Sequence, residues 1–148
     1  MSSSQFPELF VRWDTFSSAV WYRGKAGRYR LEGTRCTSCG ERFFPPRTGL
    51  ICPSCHARTM EPYACAQAGV IVAAAPDDLG FPAMGYGTKL PRQMVVIRLD
   101  DNIHVMSEVV DCDDPSLIVS GARVRMVLRK QKREDSGAWA YGFCFVLE

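Results

Sequence analysis

Two identical brackets, Cys36-Thr37-Ser38-Cys39 and Cys52-Pro53-Ser54-Cys55, stand twelve residues apart and constrain this chain more than any other feature. A two-residue gap lets a tight turn aim two thiolates at one tetrahedral ion, and the short stretch between brackets can carry the second turn back to complete the cage. The segment from Gly33 to Pro62 needs such an ion. Its apolar stock is little more than Phe43, Phe44, Leu50, Ile51 and Met60, too little to offset the ordering entropy of about thirty residues. A structural zinc contributes about 10–16 kcal/mol in comparable short peptides. The spacing therefore predicts a structural Zn2+ on Cys36, Cys39, Cys52 and Cys55. All four positions are filled by protein, so no site is left for an activated water. Thiolate cages also hold iron, but nothing else in the chain serves electron transfer, and a rubredoxin-like carrier would not need the ninety-three residues that follow Cys55. His56 reads as a neighbour of the cage rather than a ligand.

The chain has seven cysteines, an odd number with four at metal spacing. No apolar run of eighteen residues and no charged-then-apolar leader is readable, so the expectation is a cytoplasmic protein with no membrane span. Cys65, Cys112 and Cys144 are expected as small buried hydrophobes. The alternative, a nucleophile with His104 as its base, lacks a third, orienting group. Residues 1–60 carry nine Lys+Arg against four Asp+Glu, and residues 61–148 carry nine against twelve. Four thiolates on a divalent ion offset much of the basic excess, so the metallated protein is not an obvious polyanion binder.

Three segments follow from the pattern: a helical segment at 1–32, a zinc ribbon at 33–62 and a barrel at 63–148. Phe6, Phe10, Trp13, Ser17 and Val20 recur at helical steps, and Phe16, Trp21 and Tyr22 widen that stripe. A helix this aromatic must dock on something. After the ribbon come five strand-like runs, 69–75, 93–99, 103–110, 122–130 and 138–147, with Asp100-Asp101-Asn102 as a hairpin turn and Asp113-Asp114-Pro115 starting a turn or short helix. Five strands with an early hairpin and an irregular link after the third match an OB-fold. The fold class is thus mainly β: an N-terminal helix, a rubredoxin-like zinc ribbon, then a five-stranded OB-fold barrel.

The connection 76–91 is long and mixes hinges with Phe81, Met84, Tyr86 and Leu90. That composition suits a docking loop better than a linker, though a loop folded over its own barrel is the plainer alternative. Arg123, Arg125 and Arg129 place positive charge on one face of the fourth strand. Such a stripe is either a solvated strand face or a means of holding phosphates, and the pattern does not choose.

Arg35 to Gly40, Phe44-Pro45-Pro46-Arg47, the second bracket and Gly121-Ala122-Arg123-Val124-Arg125 together resemble a widespread bacterial and archaeal family in which a zinc ribbon precedes an OB-fold. It was long carried as a domain of unknown function and is found beside thiolase-like genes. The likeness runs from about Phe6 to Val146. It implies a small, non-catalytic subunit of an acyl-CoA enzyme, above all a thiolase, with size and architecture similar to the small subunits of thiolases in anaerobic aromatic breakdown. The implied partner is a thiolase-like catalytic subunit in a hetero-oligomer of two plus two, docked through Phe6, Phe10, Trp13, Phe16, Trp21 and Tyr22. A coenzyme A thioester is the implied ligand of the complex, near Phe81, Met84, Tyr86, Lys89, Arg92, Arg123 and Arg125. The residues agree in one respect: thiolase chemistry needs an activated cysteine, an acid/base group and an oxyanion hole on a larger scaffold. The competing reading is a single-stranded nucleic-acid binder, which predicts stacking aromatics on the second and third barrel strands. Those strands contain none.

Overall fold

The computed structural model describes residues 22–47, 49, 51–78, 91–133 and 139–148, with 132 and 133 described by backbone alone. A short helix, α1 (Lys25–Arg30), leads into a three-stranded ribbon of β1 (Glu32–Cys36), β2 (Arg42–Phe43) and β3 (Met60–Ala64). Five longer strands follow: β4 (Ala68–Asp77), β5 (Arg92–Leu99), β6 (His104–Val109), β7 (Arg123–Arg133) and β8 (Trp139–Leu147). Among the described residues no helix is long and apolar enough to cross a membrane.

The ribbon sheet runs β2-β1-β3, and the other five strands close into a barrel in the order β4-β5-β6-β8-β7. β4 closes the barrel on β7 through Ala68 to Val70. β6 meets β8 in parallel at Val109 and Phe145, where Val110 N–H donates to the Phe145 carbonyl at 2.8 Å. This order is that of the OB-fold expected from the sequence. The strands form where β-branched residues alternate with polar ones: Ile103, Val105, Ser107 and Val109 are buried while His104 and Met106 face out. Ser107 is the buried polar member of that row, and its hydroxyl donates to the Phe143 carbonyl at 3.1 Å. The link after β6 is a 3-10 turn, Pro115–Leu117, capped by the Asp114 carboxylate, which accepts from Ser116 N–H at 2.9 Å.

One feature departs from the sequence pattern. β7 continues through Gln131 to Arg133, residues expected in the loop before the last strand. A register shift between Lys130 and Lys132 sets Gln131 apart, and its side-chain amide donates to the Phe143 carbonyl at 3.0 Å beside Gly142. α1 falls within the helical segment expected at 1–32, beyond the aromatic stripe, and Lys25 to Arg30 itself carries no apolar period. It ends at Leu31, a left-handed cap with φ 51° whose side chain is fully buried.

Leu31 joins Cys65, Ile71, Val95, Ile97, Leu99, Val124 and Phe145 in one core, with Phe44 and Tyr63 packed against it. The ribbon and barrel therefore share apolar interior. Polar ties reinforce the joint: Ala66 N–H donates to the Asp101 carboxylate at 2.9 Å and Arg42 donates to the Asp101 carbonyl at 3.1 Å. Gly69 is required at close approach, since a Cβ there would stand 2.7 Å from Leu99 Cα.

Candidate metal centre

Each bracket builds the same knuckle. Cys36 ends β1, and Gly40 N–H returns to the Cys36 carbonyl at 2.9 Å while Cys36 N–H donates to the Glu41 carbonyl at 2.8 Å. In the second knuckle His56 N–H returns to the Cys52 carbonyl at 2.9 Å and Cys52 N–H donates to the Ala57 carbonyl at 2.9 Å. The residue after each bracket takes a left-handed backbone, Gly40 at φ 78° and His56 at φ 61°. His56 is thus the geometric counterpart of Gly40, a turn residue whose side chain is exposed.

The four sulfurs lie within 4.8 Å of one another, with Cys36 and Cys55 at 3.6 Å and Cys39 and Cys52 at 3.7 Å. A tetrahedral ion with Zn–S bonds of about 2.3 Å sets its ligands roughly 3.8 Å apart, so the donor set fits a structural zinc. Cys36 and Cys52 are buried, whereas Cys39 and Cys55 are exposed. The Thr59 hydroxyl and the Cys39 backbone N–H draw the Cys36 thiol down to about 6. Cys39 responds oppositely. A backbone hydrogen bond at Glu41 lowers it, yet partial loss of water around the sulfur and the neighbouring thiols push it up to about 12. Four thiolates this close need a cation between them, and a divalent ion supplies it.

The other three cysteines do not form a catalytic set. Cys65 and Cys144 are buried, and burial pushes the Cys65 thiol up to about 11. Cys112 is only half-buried and donates to the Asp114 carbonyl at 3.1 Å. His104 faces outward on β6.

The remaining site residues fall into three groups. Tyr22 is 77% exposed; the other docking aromatics, Phe6, Phe10, Trp13, Phe16 and Trp21, lie outside the described residues, as do Phe81, Met84, Tyr86 and Lys89. Arg92 is half-buried and paired with Glu108 at 3.2 Å and Asp77 at 3.9 Å. Arg123 is held by Asp100 at 2.5 Å and Glu148 at 3.4 Å, and Arg129 by Asp111 at 2.6 Å, while Arg125 stands exposed on β7. Sequence reasoning missed the exposed pair Trp139 and Tyr141 on β8, with Lys130 over the Trp139 ring at 5.2 Å. Their spacing of two was the available signal, lost because that stretch was read only as a strand.

Residues 23–61 match a family model described as the ChsH2 rubredoxin-like zinc ribbon domain. The chain is 34% identical over 120 residues to a DUF35 domain-containing scaffold protein of Methanothermobacter thermautotrophicus, covering 80% of this chain and 86% of that protein. The chain belongs to the DUF35 family. A second member, a DUF35 domain-containing scaffold protein of Methanocaldococcus jannaschii, is 31% identical over 125 residues, covering 80% of this chain and 82% of its own. The DUF35 likeness extends to solved structures. A chain of an Ltp2-ChsH2(DUF35) aldolase superposes with a TM-score of 0.64 over 90% of this chain and 95% of that one, at 19% identity. At that identity the likeness is one of fold, and it embraces ribbon and barrel together.

Proposed function

We propose that this DUF35 protein is a non-catalytic accessory subunit of a thiolase-type acyl-CoA enzyme, docked on a larger catalytic subunit and assisting the binding or channelling of the coenzyme A thioester. The observation that carries this reading is a scaffold with no reaction centre among its described residues. Among the described residues, the cysteines are metal-bound in geometry, buried or tied to their own loop, and no nucleophile, base and oxyanion donors converge. The two archaeal relatives are described as scaffold proteins, and the fold neighbour is described as an aldolase formed by Ltp2 and ChsH2. Carried to this chain, both descriptions favour a partner that does the chemistry.

The finer proposal is a cytoplasmic two-plus-two complex resembling benzoylsuccinyl-CoA thiolase, in which Phe6, Phe10, Trp13, Phe16, Trp21 and Tyr22 meet the partner. The exposure of Tyr22 supports a docking role for the end of that stripe. Co-expression with a thiolase-like catalytic chain tests this reading. The expected result is a stable complex whose acyl-CoA cleavage fails when either chain is omitted. Thioester cleavage by the isolated small chain would overturn the reading.

A further inference from the structure

We infer that the cleft between ribbon and barrel binds the phosphate-bearing part of an extended ligand, and that the apolar cleft beside it receives the ligand's arm. The inference deepens the acyl-CoA reading and rests on it. The first cleft, of about 610 Å³, is lined by Arg42, Phe43, Arg47, Asn102 and His104, together with Phe44 to Pro46. The second, of about 500 Å³, is lined by Gly24, Gly27, Arg28, Val105, Met106 and Phe143, is mostly apolar despite Arg28, and shares Phe44, Pro45, Pro46 and His104 with the first. One wall therefore runs from a cationic mouth into an apolar trough, the shape that suits phosphates joined to a less polar chain.

Charge distinguishes this place from the paired barrel arginines, and exposed Arg125 lines neither cleft. Arg92, Arg123 and Arg129 already have carboxylate partners. Among the described residues, neither Arg42 nor Arg47 has a carboxylate within ion-pair distance, and no acidic residue lines either cleft. Arg42 uses one N–H on the Asp101 carbonyl and stacks over Tyr63 at 5.1 Å; Arg47 stacks over Phe43 at 5.5 Å. A guanidinium resting over a ring still has N–H groups to offer an anion. Glu41 and Asp101 line a smaller adjoining dimple, so an anion is directed to the end formed by Arg47 and His104.

Amide spectra of the zinc-loaded full chain, titrated with coenzyme A, adenosine 3′,5′-bisphosphate, pantetheine and inorganic pyrophosphate, test this. Coenzyme A is expected to shift Phe43, Phe44, Arg47 and Asn102 to Met106, the bisphosphate only the Arg47 end, and pantetheine only the Val105 and Met106 end. Arg47→Gln is expected to weaken coenzyme A binding about tenfold, Arg47→Lys less, and Arg58→Gln not at all. Unchanged affinity in Arg47→Gln, or shifts confined to other surfaces, would overturn the site, and pyrophosphate binding as tightly as coenzyme A would overturn the role of the trough. Retained assembly of Arg47→Gln with a catalytic subunit, with coenzyme A affinity unchanged, would sink the site alone; a chain that binds coenzyme A but no catalytic subunit would sink the accessory reading alone.

Discussion

His56 and Gly40 hold equivalent places after their brackets, yet only glycine adopts that left-handed backbone without a steric penalty. His56→Gly is therefore expected to stabilise the ribbon by up to about 1 kcal/mol and to leave zinc affinity unchanged, which a competition titration with a chelator would read. A fall in affinity would make His56 part of the cage. Gly69 is the opposite case. The Gly69→Ala methyl would press on the backbone of Arg98 and Leu99, and the expected loss is about 1–3 kcal/mol in urea unfolding. At Asp100 the hydrogen bond from Arg123 holds the carboxyl below its ordinary 3.8. A depressed carboxyl contributes stability that is full above the unfolded value and fades as pH falls through the folded one. Asp100→Asn should thus lose a small, solvent-screened stabilisation at neutral pH and converge on the unsubstituted chain below pH 4, which flattens the acid limb of the stability profile. The two brackets were legible because metal chemistry fixes spacing within a few residues. The pairing of Arg123 with Asp100, twenty-three positions apart, was not, since only barrel closure brings them together.

β1, β2 and β3 hold too little core to stand without the ion, and their one deep anchor is the shared interior around Leu31 and Cys65. Cys52→Ser is expected to abolish zinc binding and collapse amide dispersion in the ribbon. Cys144→Ala, buried in the barrel, should keep full zinc content and cost no more than a small cavity. Retention of ribbon dispersion after chelation would contradict the metal's structural role. The five barrel strands were readable because β-branched alternation marks a half-buried sheet. Their ends were less so: Gln131 breaks the alternation as a bulge, so β7 looked shorter than it is. α1 left no periodic mark because its contribution is the buried left-handed Leu31 that follows it.

Ribbon and barrel form a unit with a joint rather than two independent pieces, and the cleft at that joint combines residues 42–47 with 102–104. No local pattern announces a site assembled from such distant segments, which is why the sequence pointed instead to the barrel arginines. Phe145 sits at the centre of the shared core; Phe145→Ala is expected to cost about 3–5 kcal/mol and to loosen the ribbon with the barrel, seen as simultaneous loss of zinc retention and β-sheet signal. On the proposed reading, a molecule organised this way acts through the catalytic subunit it joins. Native mass spectrometry of the chain co-expressed with a thiolase-like catalytic chain tests that most directly. The account predicts a complex of two small and two large chains carrying one zinc per small chain. A metal-free small chain that flies alone under the same conditions would contradict it.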